Sequence, residues 1–484
     1  MAQHLEGVNM ELNRVGPSDN DSFRDPDAEA QGPEATSTDN VAHQLLPITR
    51  KRQIAVLTTS FLTICITIGL NQSYGVFQSY YVSDDKRSIL PPSQRENGAL
   101  VAFVGSLGSG LTWGGSIAVN PLMARVKDTR YITVLGVIFM SLGLGLASLA
   151  TQVRSAYKAK TIWHLLLTQG LLYGIGSSML YFPILSVAPE YFDAHRGSAM
   201  GFVLSGAGVG GLVLSPATRA LIGRVSIRWT LRVLSLVVFG IAMPIALTAA
   251  PSRFNTSRAS RRPTHVNISI ARKPAFFLSV LAAFLQGSGN LVPLTFLSEY
   301  SVSLGYTASF GAVLLALNNG INAASRILTG YVADRLCGRQ NTLIFTVIGS
   351  AVAVVALWLG SVVALGAGAG KLLWLLFVIF YGVCAGGYNA LFPTTVAEVF
   401  GLQAYAAVNG FIYSVRGMGA VFGSPVGGLI LGDADAAPKT GGGGLAPYKG
   451  LVLFDAALLF GAAGCVMGVR WFDAVEKRAW RWRA

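Results

Sequence analysis

The sequence predicts an all-α integral membrane protein with twelve transmembrane helices in two six-helix halves. Three observations predict it. The 484 residues are 52% hydrophobic and only 12% charged, with 56 glycines and a mean hydropathy of +0.52. A soluble domain carries about 25% charged residues, and small residues suit helices that pack closely in lipid. Twelve apolar runs follow one another, each about the twenty residues needed to cross a bilayer. The second half of the chain also repeats pairs of residues from the first.

The first 50 residues read as a disordered acidic tail. Up to residue 47, nine Asp and Glu residues, from Glu6 to Asp39, face only Arg14 and Arg24, and few residues there can build a core. No basic segment precedes an apolar one in this tail, so the expectation is no cleaved signal peptide. The apolar runs then fall at about 54–80, 97–119, 131–150, 162–186, 198–221 and 229–250. These form an N-terminal half over 51–250. A basic linker over 251–273 leads to runs at 275–299, 308–333, 342–365, 371–396, 405–431 and 448–470, a C-terminal half over 274–470. A basic C-terminus over 471–484 closes the chain.

An even number of spans puts both termini on one side, and basic connections mark the cytoplasmic face. Arg50-Lys51-Arg52, Arg125/Lys127/Arg130, the linker and the C-terminus then lie inside, against Arg154/Lys158/Lys160 and Arg224/Arg228 outside. Both termini are expected to be cytoplasmic. The halves echo each other in Tyr173-Gly174 and Tyr381-Gly382, in Glu190 and Glu398, and in Ser215-Pro216 and Ser424-Pro425. The pairs stand in the same order at nearly one spacing, which suggests duplication of a six-helix unit. Repeats of this kind place a solute site between the halves near mid-membrane.

The candidate site residues are polar groups stranded in these runs. Arg326 lies inside the eighth, where a guanidinium costs at least ~2.5–3.5 kcal/mol and normally faces protein or water. Asn318 and Asn322 precede it at helical spacing, so the three share a face that is expected to line a cavity. The plain alternative is an arginine that extends to the inner water. Arg416 is a second intramembrane cation, with Asp455 of the neighbouring run as an alternative structural partner. Two cations in a low-dielectric cavity favour an anionic solute. Asn71, Tyr74 and Gln78 in the first run, Asn290 in the seventh and Asn389 in the tenth add neutral hydrogen-bonding groups. For each of these, bonding between helices is the competing reading.

Several function classes drop out. The net charge of +14 sits in the connections without a basic and aromatic stripe, so no nucleic-acid partner is expected. Cys65, Cys337, Cys384 and Cys465 have no metal-ligand spacing. Gly201–Gly211 is glycine-rich but follows no strand, unlike a nucleotide loop. No nucleophile, dyad or cofactor motif is present, so neither an enzyme nor a cofactor is expected.

The segment Gly330-x-x-Ala333-Asp334-Arg335-x-x-Gly338-Arg339 resembles the signature loop of the major facilitator superfamily. Gly69-x-Asn71 to Tyr81, Tyr191-Phe192 to Gly211, Asn322 to Arg326, and Gly423-x-Pro425-x-Gly427-Gly428 resemble its fungal monocarboxylate-porter-like branch. The resemblance covers about 50–470. It implies the major facilitator fold and proton symport of a carboxylate by alternating access. It also implies an inner gate of Asp334, Arg335 and Arg339, matched in the first half by Arg125 and Asp128. The chain departs from the pattern at Ala124, where the first-half loop usually has an acid. It departs again at Asn322 and Gln78, which stand where characterised porters carry a carboxylate and a lysine.

The resulting expectation is a monomeric secondary transporter of a small organic anion in the lipid bilayer. The plasma membrane is the expected site, with the vacuolar membrane as the alternative. Arg326 anchors the charge, with Asn322, Asn71 and Tyr74 orienting the solute. The rival expectations are an exporter of a fungal secondary metabolite, a riboflavin-type transporter, and a non-transporting membrane sensor.

Overall fold

The computed structural model describes residues 49–83, 98–126, 128–149, 161–192, 196–249, 266–364, 366–432 and 445–477. The expected acidic tail lies outside the described residues except at its last two positions. So do most of the linker and the last residues of the C-terminus. Among the described residues, ten helices are long and apolar enough to cross a membrane. They are α1 (Arg50–Val82), α2 (Gly98–Met123), α3 (Arg130–Ala147), α4 (Ile162–Val187), α5 (Ala199–Val225), α6 (Ile227–Leu247), α7 (Pro274–Ser303), α9 (Arg339–Val363), α10 (Gly368–Phe400) and α12 (Pro447–Glu476).

Two further helices run among them, α8 (Ala308–Val332) and α11 (Leu402–Leu431). At 25 and 30 residues they are long enough to span. They fall short in apolarity, because α8 carries Asn318, Asn319, Asn322 and Arg326 and α11 carries Arg416. The two less apolar helices are thus the two that bring Arg326 and Arg416. The end of the chain also differs from expectation, since α12 runs on to Glu476, six residues past 470.

Pro47–Ala484 forms one compact unit. Within it α5 packs on α1 and α8, and α11 packs on α2 and α7. The α5–α8 and α2–α11 contacts join the first six helices to the last six. Small residues permit these approaches. A Cβ on Gly69 would fall 2.6 Å from Gly210 Cα, and one on Gly417 would fall 2.6 Å from Gly114 Cα. Any larger residue would push those backbones apart.

Two of the three sequence echoes correspond to repeated contacts. Tyr173 of α4 donates its hydroxyl to Thr67 O of α1 at 3.1 Å, and Tyr381 of α10 donates to Asn290 O of α7 at 3.5 Å. Ser215 Oγ of α5 donates to Ser73 Oγ of α1 at 3.2 Å, and Ser424 Oγ of α11 lies 2.9 Å from Thr295 Oγ1 of α7. In each half the fourth and fifth helices are therefore tied to the first by the same residue types. Each tie satisfies a polar group that lipid would leave unpaired.

Candidate functional site

A cavity lies at mid-height between the first six and last six helices. α1 contributes Ile64, Ile68, Asn71 and Gln72. α2 contributes Ser109 and Trp113, α4 contributes Tyr181, and α5 contributes Leu204 and Ala207. The other wall is Asn290, Leu291 and Leu294 of α7, Arg326 of α8, Asn389 of α10, and Tyr413 and Arg416 of α11. The space between them is about 530 Å³, counting its open mouth.

Arg326 is 3% exposed. Its Nε donates to Asn322 Oδ1 at 2.9 Å, one turn back on α8. Its Nη1 donates to Leu204 O of α5 at 2.6 Å. The sequence leaves Arg326 without a partner on its own helix, and the structure corrects that: Asn322 holds it. The alternative of an arginine reaching inner water is also set aside. The helical chain continues beyond α8 through Ala333–Cys337. Arg326 is therefore some three turns from the end, and its guanidinium is sealed against α5.

Arg416 is 2% exposed. Its Nη2 donates to Asn389 Oδ1 at 2.5 Å. Its guanidinium lies 4.4 Å from the Trp113 ring centre, 5.3 Å from Tyr388 and 5.8 Å from Tyr413. The alternative pairing with Asp455 does not occur. Gly287 of α7 sits against the Arg416 backbone, while Asp455 packs against Gly289 on another side of α7.

Among the described residues neither guanidinium has a carboxylate within 4 Å. The two arginines are close enough to repel each other. Neutral hydrogen bonds to a charged group contribute roughly 1.5–3 kcal/mol each. Burying one ion costs several kcal/mol even after relaxation. The bonds present therefore offset the burial only in part. Arg326 uses two of a guanidinium's five donors here, and Arg416 Nε has no partner. The arrangement keeps positive charge and spare donors in a nearly dry space.

The sequence-predicted residues divide into three groups. Arg326, Arg416, Asn71, Asn290 and Asn389 line the cavity. Asn322 does not line it and acts by holding Arg326. Tyr74 and Gln78 lie elsewhere: the Tyr74 hydroxyl donates to Val101 O at 2.5 Å, and Gln78 Nε2 reaches Gly98 O at 3.5 Å. Both tie α1 to α2. The polar face of α8 does not point into the cavity as a stripe, because Asn318 Nδ2 donates to Val378 O of α10 at 2.8 Å. Sequence reasoning missed Trp113 and Tyr181. Each is one aromatic residue in an apolar helix, where core packing is the ordinary reading; the usable signal is a polar-tipped aromatic at the depth of the arginines.

The match to a known family decides what this frame is. The family model described as the Major Facilitator Superfamily matches residues 59–424. This chain belongs to the major facilitator superfamily. Among superfamily relatives, an MFS-type transporter of Gibberella moniliformis is 26% identical over 74% of this chain and 80% of its own length. The agnestins efflux protein of Paecilomyces divaricatus is 24% identical over 87% of this chain and 90% of its own. A solved D-xylose–proton symporter superposes with a TM-score of 0.65 at 14% identity, covering 90% of this chain and 98% of that one. The chain is a membrane transporter of the major facilitator type, built from α-helices that cross the membrane.

In this major facilitator chain the residues expected at the inner gate sit at helix ends and in the turns between helices: Arg125 closes a helix, Arg335 lies in the helical turn Ala333–Cys337 and Arg339 starts α9. Arg125, Arg335 and Arg339 are exposed, and Asp128 accepts a hydrogen bond from Arg130 N at 3.0 Å, which starts α3. The Asp334 side chain lies outside the described part.

Proposed function

We propose that the protein is a secondary active transporter that exports an amphipathic organic anion by alternating access. One observation carries the reading: two buried arginines share a cavity, and among the described residues no carboxylate lies beside either. The anion supplies the missing charge. Its carboxylate takes the free donors of Arg326 and Arg416, a fork that suits planar acids. Asn71, Asn290 and Asn389 orient its polar groups. Its apolar body lies against Ile64, Ile68, Leu204, Ala207 and the rings of Trp113 and Tyr181.

All twelve long helices are read as spans, with both termini cytoplasmic and Asp334, Arg335, Arg339, Arg125 and Asp128 around the inner gate. The plasma membrane suits an exporter. Export is supported by relatives named as efflux proteins. A second reading is uptake of a small monocarboxylate, favoured by the position of Arg326 within the Asn322–Arg326 resemblance.

The test is flux in proteoliposomes with lactate, benzoate, 2-naphthoate and neutral benzamide. The expected order is 2-naphthoate and benzoate above lactate, with benzamide not transported. Arg326→Gln should lower anion flux about 10- to 100-fold, the equivalent of a lost charged hydrogen bond. Transport of benzamide as fast as benzoate would refute the anion reading. Preference for lactate over 2-naphthoate would favour the monocarboxylate reading.

A further inference from the structure

Asp455 is a buried acid that the cavity does not use. It lies in the body of α12 and is 0% exposed. Neither Oδ1 nor Oδ2 has a hydrogen-bond partner. Its surroundings are Leu459 of its own helix and Gly289 of α7; a Cβ on Gly289 would fall 3.2 Å from Asp455 Oδ1. A carboxylate anion with no donor and no cation is far costlier to bury than the neutral acid. This packing therefore holds Asp455 with its proton on.

The charged and titratable groups around it are few. From α10, the Tyr381 hydroxyl lies within electrostatic range of Asp455 and reaches Asn290 O at 3.5 Å, with Cys384 one turn further on. From α7, Gly289 is the neighbour, and that helix's acid, Glu299, lies nearly three turns on. α11 packs on α12 beside it, through Phe422 against Phe454 and Gly427 against Leu451; its titratable groups are Tyr405, Tyr413 and Arg416, of which Arg416 lies against Gly287 on another side of α7. α9 carries no titratable side chain except Arg339 at its start. The remaining groups of α12 itself, Tyr448, Lys449, Cys465, Arg470, Asp473 and Glu476, lie more than one turn away in either direction.

The link to the cavity is one short stretch of α7. In Gln286-Gly287-Ser288-Gly289-Asn290, Gly287 touches Arg416, Gly289 touches Asp455, and Asn290 lines the cavity. Pro293 follows inside the helix and lacks the N–H that would bond the Gly289 carbonyl. Glycines and a proline are where a helix bends.

We infer that Asp455 is a proton-binding switch that sets the bend of α7 and so couples one proton to the arginine-lined cavity. The inference rests on the transporter reading and adds the coupling ion and its site. With the proton bound, Asp455 packs flush on Gly289 and α7 keeps the shape described here. When the O–H bond breaks, the proton leaves to water at the open face. The remaining anion then needs donors that only a displaced α7, with water or the Tyr381 hydroxyl, can supply. That displacement moves Gly287 and Asn290, and with them Arg416 and the cavity wall.

The experiment uses the full chain in liposomes with no solute, so its outcome is independent of the organic-anion reading. In a background with the four cysteines replaced by alanine, spin labels at Val82 (end of α1) and Ser303 (end of α7) report their separation across a pH series. The expected result is a pH-dependent distance distribution in the parent, absent in Asp455→Asn, which keeps the low-pH distribution throughout. Asp455→Glu should restore the response with a shifted midpoint. A parent that does not respond, or an Asp455→Asn variant that responds like the parent, overturns the inference. Should Asp455→Asn fail to fold, an unmoved midpoint in Asp455→Glu overturns it instead.

Discussion

The two walls of the cavity are built from matching helices but of different chemistry. The wall from α1, α2, α4 and α5 is aliphatic and aromatic, with Asn71, Gln72 and Ser109 as its polar groups. The wall from α7, α8, α10 and α11 holds both cations. Yet the bonds that tie helices four and five to helix one within each half are the same kind in both. The scaffold contacts are repeated while the lining has diverged. On the proposed reading, charge recognition falls to one half and most of the apolar recognition to the other, so the two can be changed separately.

The strongest way to break this division is Arg416→Gln. Anion flux should fall about 10- to 100-fold from loss of charged hydrogen bonds, measured as kcat/KM for benzoate in proteoliposomes. A fall below twofold would place charge recognition elsewhere. Trp113→Leu probes one of two strong crossings between the walls, the ring over Arg416; the other is the Arg326 bond to Leu204 O. A desolvated cation–π contact contributes up to about 2 kcal/mol, so a rise in KM for anions of roughly 3- to 30-fold is expected. Ala207→Leu narrows the apolar wall alone. It should disfavour 2-naphthoate against lactate by about tenfold or more, on the scale of a methylene or two in a pocket, without admitting benzamide. The smallest effect belongs to Tyr74→Phe. It should leave KM unchanged and lower stability by about 1 kcal/mol, the value of a lost Val101 bond, seen as a modest drop in melting temperature. A tenfold rise in KM would return Tyr74 to the site.

Much of the fold was legible in the sequence, because length and apolarity alone locate a membrane helix to within a few residues. The twelve apolar runs agree closely with the described helices, including the start of α8 at Ala308. The duplicated pairs were legible too, since each is a polar or helix-bending residue in an apolar setting. The site was legible only as far as helix depth allowed. Depth picked out Arg326, Arg416, Asn290 and Asn389. Rotation about the helix axis was not legible. Asn318 shares a face with Arg326 yet turns to α10, because a stripe nearly as wide as the helix can serve two neighbours. Tyr74 and Asn71 also share a face, but Tyr74 lies against Gly105, whose lack of a side chain draws the ring towards α2. The Arg416–Asp455 pairing failed for a similar reason: α11 and α12 do touch, through Phe422 and Phe454, but Arg416 and Asp455 turn to different sides of α7.

The bond from Arg326 to Leu204 O joins a helix of one wall to a helix of the other. An empty carrier that separates these walls must strip an acceptor from a cation in a dry interior, at a cost of about 1.5–3 kcal/mol. On the proposed reading, a bound carboxylate replaces that acceptor before the walls part. On that reading the same contact would act as a brake on idle cycling, slowing the unloaded protein roughly 10- to 100-fold relative to the loaded one. Cargo is what releases it.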